Sequence, residues 1–460
     1  MDQDQAAHAR DVLVAGLGRR TFLRAAAGVG TAGATAAAAA VAAAAPAGAR
    51  APGAGAVELP REVLQPGRGR IDGDHYLRPE PDQVRWGYVP AIGSEPVLSV
   101  RSGRTVTIDT VSHEGIMEDQ GRDPVAWFAS RGVPRSQVLD DAVAVAAEYD
   151  RHRRDFDADG PHVVVGPVRV EGAEPGDVLK IETLSAVPRV PYGVVSSRHG
   201  KGALPRRPDG SAPEGIALEE VMPPVDTDGR ATRDPRSYGN VSVFTPVRRG
   251  RGGVTSAFLP RGRRGQVQFP IAPFMGMMGV ASASAPSETD PALNSIPPTL
   301  GGGNIDIALL GAGSTFYVPV TSPGALFFVG DPHMSMGGAE VALTALEGSL
   351  RATFRLTACK PGSGDAPSVA FSYPFAETPQ VWAPVGLSDP DGSVGGQGGD
   401  LDVAMRRAVV NALDFLETDL GMDRSVGYAY LSAAVDFTIS QVVDRTVGVH
   451  GVIPKAHFDA

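Results

Sequence analysis

Asp331 and His333 stand two apart in Gly330-Asp331-Pro332-His333, and Asn304 and Asp306 repeat that spacing upstream. In extended backbone, residues two apart share a face, so each pair can present its side chains together. Glu340 comes after Met-Ser-Met-Gly-Gly-Ala. It is expected to open a strand running to Leu346 that a hairpin folds back toward the first pair. Carboxylates and an imidazole gathered at strand ends are the donor types of a zinc-type site. The same residues also suit solvated turns, and spacing alone does not choose between the two.

Three other places carry reactive groups. His113-Glu114 sits where a strand runs into a loop, but it lacks the second histidine of the zincin helix motif. Ser196-Ser197-Arg198-His199-Gly200-Lys201-Gly202 is a polar glycine loop without P-loop spacing. Ser196 and His199 could pair as nucleophile and base, although a mobile surface loop is the expectation. Cys359 is the single cysteine, which excludes an intrachain disulfide and any multi-cysteine metal site. It falls in an expected strand, Arg351 to Lys360, whereas nitrilase-type amide chemistry needs a cysteine, a lysine and a glutamate together.

The elements that must position these groups are mostly strands. Ser314–Val320 and Ala325–Val329 are rich in β-branched and aromatic residues between glycines. Val97–Thr110 reads as a hairpin, and strands are expected from Pro161 to Val170 and from Val178 to Leu184. Phe269–Val280 is an apolar, glycine-rich loop, either a buried connector or the wall of a pocket. Helical spacing predicts Val138–Arg153 and Asp402–Leu420, the latter stopped by Gly421. A second C-terminal helix, Asp423–Val435, has Asp423 as its N-cap, and a strand from Thr438 to Val443 follows. The chain therefore divides into a leader (1–50), an N-terminal β region with one helix (51–270), a β region carrying the candidate site (271–380) and a small α+β unit (381–460). The fold class is mainly β with an α+β part.

Composition agrees with this. The 57 glycines and 39 prolines among 460 residues suit a turn-rich β protein. A net charge of −10 with no basic run in the expected mature chain excludes nucleic acid as a partner. Arg19-Arg20-Thr21-Phe22-Leu23-Arg24, an alanine-rich run to Ala45 and small residues at Ala47-Gly48-Ala49 read as a twin-arginine export signal, placing the mature protein in the periplasm or outside the cell. No other stretch approaches the roughly twenty apolar residues of a membrane span, so stable membrane insertion is not expected.

Longer motifs add to this reading. Gly166-Pro167-Val168-Arg169-Val170-Glu171-Gly172-Ala173-Glu174-Pro175-Gly176-Asp177 resembles a signature of the acetamidase/formamidase family. So do Gly302-Gly303-Asn304-Ile305-Asp306, Gly330-Asp331-x-His333, Glu340-Val341, Ile439-Ser440-Gln441-Val442-Val443-Asp444 and Ile453-Pro454-Lys455, in the same order. The resemblance covers most of residues 95–456. It implies a jelly-roll-like β-sandwich with a second β unit and a small C-terminal α+β unit. It implies hydrolysis of short amides such as formamide or acetamide, or opening of a lactam, with a divalent metal that is zinc in some members. It also implies a small-molecule amide as partner and a homo-oligomer.

Carried over residue by residue, the resemblance places His333, Asp331 and Glu340 at the metal, with His113 as a further ligand candidate and Glu114 beside it. Glu340, Asp331, Asp306 and Asn304 become the catalytic or supporting set. The sequence departs from the family at Gly337-Gly338-Ala339-Glu340, where an acid is expected at 338 and a glycine at 339. That departure motivates an alternative, a non-catalytic amide or small-ligand binding protein on the same fold.

Overall fold

The computed structural model describes residues 57–263, 265–390 and 399–458; the twin-arginine leader lies outside the described residues. Among them, β structure dominates and gathers into two sheets. One has nine strands, ordered His75–Leu77, Arg104–Asp109, Leu350–Cys359, Val178–Pro188, Thr315–Pro319, Phe375–Glu377, Val381–Leu387, Gly448–Pro454 and Asp436–Gln441. The other has eleven. Its main path runs Gln266–Pro270, Thr255–Pro260, Val241–Arg249, Tyr192–Ser197, Leu346–Glu347, Phe327–Ser335, Phe274–Val280 and Gly302–Asn304. Val163–Glu171 pairs with Phe327–Ser335 as a branch and carries Arg85–Trp86 and Leu98–Arg101. Strands from before and after residue 270 are neighbours in both sheets.

The sheets meet through apolar side chains. Phe327 of the larger sheet lies 5.5 Å from Phe354 of the smaller, edge to face. Val106, Ile108, Ile181, Phe316 and Phe354 are fully buried in the same core. Each such side chain stabilises the fold by roughly 1.5–3 kcal/mol through removal from water. Phe327–Ser335 is buried along nearly its whole length, and Phe274–Val280 along all of it. Both therefore lie between layers rather than on a surface. For Phe274–Val280 this corrects the expectation of a loop, because its run of Phe, Met and Val pairs on both sides inside the sheet.

The C-terminal helices form much as their sequence dictates. Asp400 accepts hydrogen bonds from the amides of Asp402 and Val403 and opens Leu401–Thr418. Ala404, Ala408 and Ala412 form a buried stripe on this helix, and Asn411 donates to the Val385 carbonyl at 2.7 Å. Asp423 caps Arg424–Ala434 in the same manner. The helix expected over Val138–Arg153 is shorter, Asp140–Glu148. Tyr149 leaves the helix with extended backbone to stack on Trp86, and His152 and Arg154 turn inward onto Asp159.

The strand expected over Glu340–Leu346 also fails to form; only Leu346–Glu347 pairs. Ala339, Glu340 and Leu343 all have positive φ, at 79°, 48° and 111°, which is incompatible with an extended strand.

Candidate active site

The register of Phe327–Ser335 builds the centre of the site. Pairing of Met275 with Pro332 and of Met277 with Gly330 sets Gly276 opposite Asp331. On the other side, His333 pairs with Glu347. Asp331 and His333 thus lie within one strand, not in a turn after it. Asp331 has a φ of 50°, yet its Oδ2 lies 2.9 Å from His333 Nε2. The same nitrogen is 3.1 Å from Glu347 Oε1 and 3.8 Å from Glu340 Oε1. His333 Nδ1 lies 4.0 Å from Asp306 Oδ1.

Asp306 arrives from the strand edge at Gly302–Asn304, where its amide and that of Ile305 both donate to the Gly276 carbonyl. A β-carbon on Gly276 would stand 2.5 Å from Asp306 Oδ1, 2.5 Å from His333 Cε1 and 2.7 Å from Asp331 Oδ2. Glycine is therefore required there for the three groups to meet over the strand.

Two more histidines complete the cluster from other strands. His113 turns Nδ1 to within 3.7 Å of Asp331 Oδ1, while Glu114 lies 3.4 Å from its Nε2. Glu114 is itself held by Arg198 at 3.0 Å, by the Ser196 hydroxyl at 2.7 Å and by Gln120. A carboxylate behind a histidine fixes the ring and its tautomer, as it does behind metal ligands. His162, at the foot of Val163–Glu171, reaches Asp331 Oδ1 at 3.7 Å with Nε2 and meets the Ser295 hydroxyl at 2.9 Å with Nδ1.

Glu340 and Asp444 enter together. The Ala339 amide donates to the Ile439 and Ser440 carbonyls, and the Val442 amide donates to the Ala339 carbonyl. This clip brings both loops to the cluster, and with Asp306 their ligand atoms lie within 4.8 Å of one another.

Four of the five carboxylates in the cluster, on Asp306, Asp331, Glu340 and Asp444, hang from left-handed backbone, with φ between 45° and 66°. Asp tolerates this conformation better than most residues, but each instance still costs on the order of 1–3 kcal/mol. The surrounding pairings hold them there.

Burial and crowding set the electrostatics. Asp306 and His333 have no solvent exposure, the others are nearly as enclosed, and Asp444 alone is partly exposed. Burial, then the nearby Glu340 and Asp444 charges, push Asp306 far above the usual carboxylate range. Glu340 and Glu347 are pushed up by burial and by their acidic neighbours, and burial raises Asp444 to about 7. Against the cost of its burial, His333, His162 and His113 hold Asp331 low. Burial, helped by the His113 and His333 charges, brings His162 down to about 4 despite Asp331 beside it.

The polar atoms are also left unpaired. Both ring nitrogens of His113 and of His333, both oxygens of Asp306, and one oxygen each on Asp331, Glu347, Asp444 and Asn304 lack a hydrogen-bond partner. The His333–Asp331 and His333–Glu347 approaches are close but off-line for hydrogen bonding. Convergent imidazole nitrogens and carboxylate oxygens without hydrogen bonds among themselves form the donor set of a divalent cation, and the residues fit one. Four overlapping donor groups are present, and Asp331 belongs to two of them: one with His113 and His162, one with Asp306 and His333. The cluster floors a cavity of about 620 Å³, to which His113, His162, Asn304, Asp331, Glu340, Glu347 and Asp444 all contribute.

Residues 265–460 match the sequence model of the Acetamidase/Formamidase family. A Schizosaccharomyces pombe protein provisionally named a formamidase is 28% identical over 221 residues, 44% of this chain, and the match spans about half (53%) of that relative's length. Among solved structures, the acetamidase of Yersinia enterocolitica superposes with a TM-score of 0.58 at 21% identity, covering 87% of this chain and 96% of that one. The acetamidase of Bacillus halodurans gives 0.56 at 20%, covering 84% and 98%. At those identities the likeness is one of fold, and this chain shares that β fold.

The structure brings together the residues singled out for the metal-type site, His113, Asn304, Asp306, Asp331, His333 and Glu340. It adds three that sequence reasoning missed: His162, Glu347 and Asp444. Asp444 closes one of the family-like stretches, so its position was visible; His162 and Glu347 carry no such signal beyond being polar residues at the end of apolar strands.

Other expectations are corrected. Of the Ser196–Gly202 stretch expected as a mobile surface loop, Ser196 and Ser197 end a strand and Ser196, Arg198 and His199 are buried, while Gly200 and Lys201 are exposed. Ser196 serves Glu114 while His199 pairs with the Thr227 hydroxyl at 3.1 Å, so the two do not form a dyad. Cys359 lies in the smaller sheet, its sulfur facing the Thr357 and Asp365 carbonyls, and burial raises its thiol above the ordinary range. A β-carbon at Gly338 would face Thr438 and the Ile439 carbonyl, at 3.3 and 3.4 Å. An acid there would start against the Asp436–Gln441 strand, not on the cavity.

Proposed function

We propose that this chain is a metal-dependent hydrolase of carboxamides, acting on linear amides with release of ammonia or on lactams by ring opening. The observation that carries the reading is the set of three imidazoles and five carboxylates at the floor of a cavity, most of them buried and many of their polar atoms without a partner. The match of residues 265–460 to an amide-hydrolysing family supports it. His113, His162 and Asp331 would hold one ion, and Asp306, Asp331 and His333 a second, with Glu347 and Glu340 completing the donors. Mixed imidazole and carboxylate donors favour zinc. A divalent cation supplies Lewis acidity, polarising a carbonyl oxygen and making water nucleophilic near neutral pH.

The chain's own residues do the rest. Glu340, raised in basicity by burial and by Asp444, takes the proton of the attacking water and hands it to the departing nitrogen. Asn304 opens its side-chain amide on the cavity beside Asp306 and orients the substrate amide by hydrogen bonding. Glu114 and Ser295 hold the two outer histidines in register. The enclosing strands keep bulk water from the floor.

The test is metal analysis of the purified protein joined to an ammonia-release and lactam-opening screen. Stoichiometric divalent metal, and turnover abolished by chelation and restored by zinc, is the expected result. Neither metal nor turnover across a broad amide panel sinks the proposal, and heat of binding without product would mark a binding protein instead. Export through the Arg19-Arg20 leader belongs to the same proposal; replacing both arginines by lysine should retain the chain inside the cell.

A further inference from the structure

The cavity is much larger than formamide or acetamide requires. At about 620 Å³ it falls in the range of sites for ligands of drug size, roughly 300–1,000 Å³. Above the acidic floor its wall is apolar, formed by Met117, Phe156, Ile296, Leu343 and Val443 among others. Two cations, Lys201 and Arg445, line the same wall and keep contact with solvent. Neither side chain has an ion pair or hydrogen bond among the described residues. The Lys201 ammonium lies 5.9 Å from the Phe156 ring centre, and Arg445 is near enough for its charge to act on that ammonium.

The acids on this wall are already engaged. Asp157 accepts from the Tyr238 hydroxyl at 2.9 Å, and Asp159 accepts from Tyr88 and faces His152 and Arg154. Arg198, the third cation, is closed by Glu114 and Asp119. Asp444 and Arg445 are consecutive left-handed residues, and both line the cavity. The cavity therefore combines three kinds of lining: a metal-type cluster, apolar side chains and two cations without a side-chain partner among the described residues.

We infer that the substrate is an amide with an apolar chain that ends in a carboxylate: the amide is cut at the floor and the carboxylate is held by Lys201 and Arg445. This rests on the amide-hydrolase reading of the same site. In the reaction, water adds to the amide carbonyl, the C–N bond breaks, and a dicarboxylate and ammonia leave. The competing role for the two cations is to balance the negative floor, in which case they would affect every amide alike.

The experiment uses the full metal-loaded protein with two amides of equal length, hexanamide and adipamic acid. The expected result is a preference in kcat/KM of about tenfold or more for adipamic acid. In Lys201→Gln, Arg445→Gln and the double variant, checked for unchanged thermal melting and metal content, the ratio should fall toward one. A ratio at or below one in the native protein, or one that the variants leave unchanged, overturns the inference. Calorimetry with the product adipate separates this from failure of the hydrolase reading. If no amide is turned over but adipate binds and the double variant loses that binding, the anion subsite stands and hydrolysis falls. If adipate does not bind, the subsite falls.

Discussion

Two of the buried charge clusters among the described residues are built on opposite terms. In one, Asp109 is fully buried and receives Arg351 through two bonds, Nε at 2.6 Å and Nη2 at 2.8 Å, plus the Tyr76 hydroxyl at 2.7 Å. Arg189 stands 3.5 Å from Asp109 and 2.7 Å from Asp141, and its Nη1 and Nε donate to the Thr110 and Leu64 carbonyls, leaving its Nη2 and Asp141 Oδ2 without a hydrogen bond. Two acids meet two arginines, so the charge closes on itself. The other cluster sets five acids against three histidines with no lysine or arginine among them, and most of its polar atoms have no partner. Burying a charge is tolerable when it is paired and hydrogen-bonded, and very costly otherwise. The first cluster balances its charge as folded, with two atoms left unpaired; the second leaves many donors open, as a binding site does.

Substitutions should separate the two sharply. Asp306→Asn or Glu340→Gln is expected to lower kcat/KM by about a thousandfold or more while leaving the melting temperature unchanged or higher, because crowding among the acids is relieved. Arg351→Met should do the reverse, destabilising by about 3–5 kcal/mol through an uncompensated Asp109 while the folded fraction keeps its turnover. Denaturant melts and rates on both variants check this, and equal stability losses would erase the distinction.

Gly276→Ala comes next. Its β-carbon would intrude between Asp306, Asp331 and His333, so bound metal and activity should fall by about tenfold to a hundredfold. Metal titration against the native protein measures it.

A smaller effect concerns pH. In the folded chain the Asp444 carboxyl titrates at about 7, against an ordinary value of 3.8. A raised acid contributes stability that is present below its unfolded pKa and lost as pH rises through the folded one. Metal-free protein should therefore melt higher at pH 5 than at pH 8, with the loss spread between about 4 and 7. Loaded protein should show the opposite trend, since protons and metal compete for the same oxygens. Melting curves at several pH values with and without chelator test it, and parallel profiles would argue against metal at this cluster. Smallest of all, Cys359→Ala should leave turnover unchanged, since its sulfur sits in the other sheet facing carbonyls.

Much of this site was legible because its central pairs are local. Asp331 with His333 and Asn304 with Asp306 follow from spacing, and the motif resemblance supplied Glu340. Glu347 was not legible, because only the cross-strand register with His333 makes it a neighbour. His162 was missed for the same reason, its strand joining from far upstream. The expected strand at Glu340–Leu346 failed where left-handed backbone at Ala339, Glu340 and Leu343 replaced extension in order to aim a carboxylate inward. Alternating β-branched segments and capped helices were readable because pattern and capping act over a few residues.

What the sequence alone determined was the kind of protein: strands from alternation, two capped C-terminal helices, the donor types and their nearest pairs. Tertiary structure decided which donors converge and whether they are satisfied. That depends on register between distant strands, on a glycine with no room for a β-carbon, and on backbone held left-handed by its neighbours. None of these is a property of a short stretch of chain. At Asp331 and His333 the two levels meet: their spacing is written locally, but their burial beside Glu347, Asp306 and the two outer histidines comes only from packing.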